Sequence, residues 1–276
     1  MTEADTLPDL DEDHGPFGRP LFDDPSARAL SRVGVVDVGS NSVRMVVFDG
    51  AARSPAYFYN EKIMCGLGKG LAQTGRLAPE GRARALMALK RFSLLAQGMG
   101  IETLTVVATA AVREAEDGPE FQLQVLNETG LKMWVIDGGE EARLSAQGVL
   151  LGWPDAKGVV CDIGGNSMEL ARIGDGKVGK RVSTPLGPFR LQQAADTAKK
   201  RVAHIDRILK DAQIQMKSEG ERIYLVGGSW RVIARLDMER RNYPLTVLHE
   251  YRMTPTGLLD TLDWIETADL AVLRAR

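Results

Sequence analysis

The segment Gly34–Ser42 reads GVVDVGSNS, and a similar segment, GVVCDIGGNS, returns at Gly158–Ser167. In both copies Asp, Gly, Asn and Ser stand at offsets 0, 2, 4 and 5, counted from Asp37 in the first and Asp162 in the second. Each copy follows a valine-rich run and precedes another apolar run, which is typical of a hairpin of buried strands joined by a polar turn. Two hairpins of one design, 125 positions apart, predict two similar half-molecules.

Outside these hairpins, apolar runs of strand length alternate with segments in which apolar residues recur at helical spacing. The clearest predicted helix covers 79–99, with Pro79 at its start and Gly98 and Gly100 at its end. This alternation predicts an α/β fold with mixed sheets. Further strands are predicted at 56–63, 103–108, 132–136, 178–183 and 222–226, and further helices at 119–128, 140–151, 194–216, 230–238 and 255–268.

The composition is that of an ordinary globular protein: 276 residues, 44% hydrophobic and 26% charged, with a formal net charge of -2. Because this balance gives no general basic surface, we expect neither nucleic acid nor a membrane as a partner. No apolar run approaches the roughly 20 residues of a membrane span, and the acidic N-terminus is unlike a signal peptide. Residues 1–31 are rich in Asp, Glu and Pro, a composition that predicts a flexible acidic tail.

The two cysteines, Cys65 and Cys161, lie far apart in apolar neighbourhoods. They predict buried thiols in a reducing compartment rather than a disulfide. The reduced thiols, together with the absence of a predicted membrane span or signal peptide, lead us to expect a cytoplasmic protein. A metal site built from cysteine and histidine needs clustered ligands, whereas the histidines at 14, 204 and 249 are scattered.

The repeated Asp-x-Gly-x-Asn-Ser turn has the chemistry of a phosphate cradle. It offers backbone N–H groups free of strand partners, and its glycine lets the backbone approach a ligand closely. The leading aspartates, Asp37 and Asp162, can hold a divalent cation directly or through water. One copy could equally be a tight hairpin turn. Two copies with Asp in register favour phosphate binding.

A series of motifs in a fixed order resembles the exopolyphosphatase/guanosine pentaphosphate phosphohydrolase (Ppx/GppA) family of the actin/hexokinase/heat-shock ATPase superfamily. The resemblance runs from about Val33 to about Arg252. It implies two actin-like (ribonuclease H-like) domains, 32–150 and 151–276, whose mixed five-stranded sheets face a central cleft. The motifs are the two turns, VATAAVR at 107–113, GEEARL at 139–144, Glu169, PLG at 185–187 and VGGS at 226–229.

The resemblance also assigns roles to individual residues. Glu141 corresponds to the general base that activates the attacking water, although a helical Glu is more often a solvated or ion-paired residue. Asp162 and Glu169 match positions around the divalent ion, Mg²⁺ or Mn²⁺. Asp37 is the counterpart of Asp162 in the first turn and is expected to be a further ligand of the ion. The residues expected to contact phosphate are Ser40, Asn41, Ser42, Arg44, Arg113, Gly164, Gly165, Asn166, Ser167, Gly228 and Ser229.

The sequence departs from the family pattern at three places. Asn166 stands where the second turn of the family usually has Gly, and Gly66 stands where an arginine is common. Lys69 nearby is interpreted as a loop lysine. Family members of this size usually continue with another helical segment beyond Trp264. Without that segment, apolar surface would be left uncovered, which favours either a homodimer or a lower stability.

The leading functional hypothesis is a phosphoanhydride hydrolase that releases the terminal phosphate of inorganic polyphosphate. Its near alternative is hydrolysis of guanosine pentaphosphate (pppGpp) to the tetraphosphate, because both substrates end in the same phosphoanhydride. A sugar or acetate kinase of the same superfamily would need an adenosine pocket and an acceptor other than water. A non-catalytic phosphate or alarmone sensor would bind tightly without turnover.

Overall fold

A computed structural model describes residues 32–49, 56–101, 103–194, 197–216 and 222–268. The predicted tail at 1–31 lies outside the described residues. The strands are β1 (Arg32–Val38), β2 (Ser42–Asp49), β3 (Ala56–Met64), β4 (Thr103–Ala108), β5 (Met133–Val135), β6 (Gly158–Ile163), β7 (Met168–Gly174), β8 (Lys177–Thr184) and β9 (Ile223–Val226). The helices are α1 (Leu71–Thr74), α2 (Pro79–Gly98), α3 (Ala110–Glu114), α4 (Gly118–Thr129), α5 (Gly138–Gly152), α6 (Pro188–Ala194), α7 (Ala198–Met216), α8 (Gly228–Arg240) and α9 (Pro255–Thr267).

The chain divides into two compact units. The first takes the described residues up to Leu67 and Arg76–Glu140. The second takes Gly68–Gly75 and the described residues from Glu141 onward.

The first unit is built on a five-stranded mixed sheet in the order β3-β2-β1-β4-β5. β1, β2 and β3 are antiparallel neighbours, and β4 and β5 continue the sheet in parallel. Alternate residues of β1 and β2, among them Val36, Val38, Val43 and Met45, are fully buried on one face. Helix α2 begins with Pro79 at its first turn as predicted, and its buried residues, including Leu89 and Phe92, recur at helical spacing.

The second unit repeats this topology in a sheet with the order β8-β7-β6-β9. The match to β3-β2-β1-β4 confirms the predicted two similar halves. This sheet has four strands among the described residues, so the expected fifth strand is a correction. The segment between α8 and α9 is irregular: Asn242 and Glu250 have positive φ angles (48° and 60°), and Pro244 lacks an N–H.

Both faces of the second sheet are covered. On one face, Ala142 and Ala146 of α5 pack against Val160, Ala171 and Tyr224. On the other face, Cys161, Met168 and Leu186 contact apolar residues of α7 and α8. Side chains at Asp162 and Glu169 share the face that α5 covers, because strand residues alternate in direction.

Helix α8 is tied to its neighbour by a fully buried carboxylate. Asp237 accepts hydrogen bonds from Thr261 Oγ1 of α9 (2.6 Å), Arg240 Nη2 (3.0 Å) and the Tyr251 hydroxyl. A buried carboxylate costs little when its lone pairs are all engaged, so this network fixes the direction of α8.

Two further predictions can be checked among the described residues. Cys65 and Cys161 are free and buried, as expected, and burial raises the pKa of the Cys161 thiol to about 12. None of the described helices has the length and apolarity that crossing a membrane requires.

Candidate active site

The first polar turn joins β1 to β2 and is closed by backbone hydrogen bonds. The Gly39 N–H donates to the Ser42 carbonyl (3.0 Å). The Asn41 carbonyl accepts from the N–H groups of both Cys65 and Gly66 (2.9 Å each). The turn is therefore held from two sides, and the Asn41 side chain remains exposed.

The second turn, between β6 and β7, closes in the same way. The Gly164 N–H donates to the Ser167 carbonyl (3.0 Å), and the Gly165 carbonyl accepts from the Phe189 N–H (2.9 Å). Gly187 presses against this turn, since a Cβ added there would lie 2.2 Å from the Asn166 carbonyl carbon. Only glycine fits at that position, which gives a physical reason for the Pro-Leu-Gly motif.

The two equivalent asparagines stand in opposite surroundings. Asn166 is 1% exposed, and among the residues that the structure describes neither its Oδ1 nor its Nδ2 has a hydrogen-bond partner. Burying an amide without hydrogen-bond partners costs folding free energy, so the Asn166 side chain is the polar group of this turn that would gain most from a hydrogen-bonding ligand. Its predicted contact with phosphate stays a prediction, and in this conformation the amide points into the protein.

The predicted metal ligands of the second unit lie side by side. Asp162 and Glu169 are directly opposite each other in the antiparallel pair β6–β7. Opposed residues have Cβ atoms about 5 Å apart. Ser145 Oγ of α5 donates to Asp162 Oδ2, and Ser183 Oγ of β8 donates to Glu169 Oε1 (2.8 Å). Each carboxylate is thus oriented by a serine from a neighbouring element.

This pair suits a divalent cation. Burial raises the pKa of Asp162, while the Ser145 hydrogen bond and the charge of Arg231 oppose that rise. Two close carboxylates are electrostatically unfavourable unless a cation or a proton is shared between them. The described residues contain no group of three or more His, Cys, Asp or Glu placed to hold a metal. Mg²⁺ fits such a site, because it commonly takes one or two carboxylates and completes its shell with water and phosphate.

Glu141 lies one helical turn from Ser145, the residue that donates to Asp162. Asp137 immediately precedes α5 and caps its N-terminus, because its Oδ1 accepts a hydrogen bond from the Glu140 N–H (2.8 Å). Glu141 precedes Ser145 by four residues, so both share one face of α5. Because Ser145 is bonded to Asp162, the helix holds the predicted base close to the predicted metal ligands.

The Val-Gly-Gly-Ser motif connects β9 to α8 beside Asp162. Gly227 has φ 103°, and a Cβ there would lie 2.8 Å from Asp162 Oδ1 and 2.7 Å from the Ile163 carbonyl oxygen. Glycine is required both by the backbone conformation and by the lack of space. Gly228 and Ser229 follow as the first residues of α8, next to the end of β6.

The two predicted arginines belong to the first unit. Arg113 is half-buried, and its Nη1 donates to the Ile136 carbonyl (2.8 Å). Arg44 stands opposite Asp37 in the β1–β2 pair, and its Nε donates to Asn60 Oδ1 of β3 (2.9 Å). Asp37 is exposed. The phosphate and metal roles of these three residues stay predictions. Lys69 is an exposed turn residue, in agreement with its interpretation as a loop lysine.

Sequence reasoning missed Ser145, Ser183 and Arg231. The spacing of four between Glu141 and Ser145 on a predicted helix was a usable signal for Ser145. Ser183 had none, because its partner depends on the register between β7 and β8. Arg231 lies just beyond the motif that ends at Ser229.

Comparison with known proteins agrees with this architecture. The sequence model of the Ppx/GppA phosphatase family matches residues 46–270 of this chain. The chain is 30% identical over 218 residues to exopolyphosphatase 1 of Mycobacterium leprae, covering 74% of this chain and 64% of the relative. It is 35% identical over 176 residues to exopolyphosphatase 2 of Mycobacterium tuberculosis, covering 60% of this chain and 55% of the relative. The chain thus spans less than two thirds of the length of these relatives.

Solved structures show the same fold. An exopolyphosphatase from Cytophaga hutchinsonii superimposes with a TM-score of 0.76 at 24% identity, over 85% of this chain and 80% of that one. A Ppx/GppA family member from Aquifex aeolicus gives a TM-score of 0.63 at 26% identity, over 82% and 72%. The predicted fold class of two actin-like α/β halves is confirmed.

Proposed function

Because the chain belongs to the Ppx/GppA phosphatase family, we propose that it is an exopolyphosphatase that hydrolyses the terminal phosphoanhydride of inorganic polyphosphate. Relatives that carry this name support the proposal. The observation that carries it within this chain is the hydrogen bond from Ser145 to Asp162. That bond holds the helix bearing Glu141 against the strand that ends in the second turn.

In the proposed reaction, a water oxygen attacks the terminal phosphorus and Glu141 accepts its proton. The new P–O bond forms as the bridging P–O bond breaks, and the electron pair leaves with the shortened chain. The backbone N–H of Gly165, with Ser167 and Ser229, is proposed to donate to phosphate oxygens as negative charge shifts, because the Gly164 N–H is already engaged by the Ser167 carbonyl. Mg²⁺ or Mn²⁺ held by Asp162 and Glu169 would supply neutralisation of the phosphoryl charge.

Hydrolysis of pppGpp would use the same residues, because its 5′ end presents the same bond. A preference for it would require contacts to guanosine outside the turns and the carboxylate pair. We therefore propose polyphosphate as the substrate and treat pppGpp as the competing outcome. A homodimer and a cytoplasmic location stay predictions.

The test measures phosphate release from long-chain polyphosphate and from pppGpp at equal concentrations of terminal phosphate, with and without Mg²⁺. We expect Mg²⁺-dependent release mainly from polyphosphate. Release mainly from pppGpp would replace the proposed substrate by its alternative. A folded protein that releases phosphate from neither substrate would contradict hydrolysis and favour a phosphate-binding sensor.

A further inference from the structure

Arg231 lies in the first turn of α8 and folds back toward the Gly-Gly-Ser motif. Its backbone N–H donates to the Gly227 carbonyl (3.4 Å). Its Nη2 atom is 4.0 Å from the position that a Cβ on Gly228 would occupy. The guanidinium therefore lies next to Gly228, as side chains that are three positions apart on a helix do.

The charges around Arg231 are unusual for a structural arginine. Cations stabilise helices at the C-terminus and oppose the dipole at the N-terminus. In the same helix, Arg240 sits in the last turn and pairs with Asp237 (3.0 Å). Arg231 is exposed, and among the residues that the structure describes no carboxylate oxygen lies within 4.0 Å of its guanidinium. Its position does not serve helix stability.

The nearest element with complementary chemistry is the carboxylate pair. Gly227 brings the start of α8 to within van der Waals distance of Asp162, as the 2.8 Å approach of an added Cβ to Asp162 Oδ1 shows. Arg231 stands three residues after Gly228 on the helix whose start reaches Asp162.

We propose that Arg231 binds non-bridging oxygens of the phosphate chain at the second turn and the start of α8. The planar guanidinium offers two parallel N–H donors that match phosphate oxygens, and such charge-assisted bonds are strong. The inference deepens the proposed function, on which it rests for the identity of the anion. It assigns a substrate contact beyond the family motifs named above.

The test uses tripolyphosphate as the probe and measures its dissociation constant by calorimetry in a Glu141→Gln background, in which turnover is expected to be slow. We expect Arg231→Gln to weaken binding about tenfold or more, in keeping with the loss of a charge-assisted contact. Arg231→Lys keeps the positive charge but loses the two parallel N–H donors, so its dissociation constant should lie between those of the parent and Arg231→Gln. Arg235→Gln removes an exposed arginine one turn further along α8 and should bind like the parent.

The outcomes separate this inference from the proposed function. Tripolyphosphate binding that is equally tight in Arg231→Gln and in the parent overturns the role of Arg231, whatever the enzyme hydrolyses. Binding that is lost in Arg231→Gln supports it, even if the wild-type protein releases no phosphate and the hydrolase proposal fails. Failure of the folded parent to bind tripolyphosphate overturns both.

Discussion

Asp162 and Glu169 stand directly opposite each other in the antiparallel pair β6–β7, and each accepts a hydrogen bond from a serine of a neighbouring element. Like charges at this spacing repel, at a cost of several tenths of a kcal/mol or more when exposed and more when buried. Ser145 and Ser183 orient these two carboxylates. We propose that the pair binds a divalent cation with its bound phosphate.

The first prediction concerns metal-linked stability. Mg²⁺ should raise the melting temperature of the wild-type protein, because a ligand that binds only the folded state at about 100 times its Kd contributes about 2.7 kcal/mol. Asp162→Asn should abolish this shift in differential scanning fluorimetry. Asp175→Asn, which alters an exposed turn aspartate paired with Lys157, should retain it. An equal shift in Asp162→Asn would contradict the proposed ligand.

The second prediction concerns the serine that orients Asp162. Ser145→Ala removes one hydrogen bond and leaves the carboxylate free to rotate. Partners of metal ligands typically affect metal affinity or activity about 10- to 100-fold. We expect the Mg²⁺ concentration for half-maximal phosphate release to rise about tenfold or more. Thr267→Ala, in the exposed last turn of α9, is the control, and an unchanged Mg²⁺ requirement in Ser145→Ala would remove Ser145 from the site.

The third prediction compares two glycines. Gly227→Ala places a Cβ 2.8 Å from Asp162 Oδ1 at φ 103°, so it should destabilise the protein by about 1–3 kcal/mol and reduce activity. Gly148→Ala meets nothing within 4 Å in the middle of α5 and should be neutral or stabilising by up to about 1 kcal/mol. Urea unfolding of both variants measures the contrast. Equal stabilities would show that the approach of α8 to β6 is not tight.

The fourth prediction concerns Asp237. Burial raises its pKa, but hydrogen bonds from Thr261, Tyr251 and Arg240 outweigh that effect and lower the pKa overall. A carboxylate with a lowered folded pKa stabilises the protein above its unfolded pKa, and this contribution is lost as pH falls toward the folded value. We expect Asp237→Asn to cost about 1–3 kcal/mol near neutral pH and less below pH about 4.

Unfolding free energies measured between neutral pH and pH about 3 test this dependence. Asp263→Asn, on the exposed side of α9, is the matched control and should show neither effect. A cost for Asp237→Asn that is constant across this range would mean that the network does not depend on the charge.

The repeated turns could be predicted from sequence because their geometry is local. Glycine at the second position after Asp and serine at the fifth close the same backbone bond in both copies, Gly39 to Ser42 and Gly164 to Ser167. Helix α2 was equally predictable, since its proline, glycines and apolar spacing lie within one segment.

Features that depend on distant segments were not predictable. Gly187 packs on the backbone of the buried Asn166 from about twenty positions away, and nothing in the turn itself signals this contact. The contact from Ser183 to Glu169 follows from the register of β8. Among the described residues the second sheet has four strands rather than the expected five, and strand pairing depends on contacts between distant segments.

We propose that Glu141 accepts the proton of the attacking water. The direct measurement is single-turnover phosphate release from polyphosphate by the wild-type protein and by Glu141→Gln, with Glu80→Gln as a control in the exposed first turn of α2. We predict that Glu141→Gln lowers the rate about 10²- to 10⁴-fold while polyphosphate binding is retained, and that Glu80→Gln matches the wild type. A folded Glu141→Gln protein that releases phosphate at the wild-type rate would contradict the account.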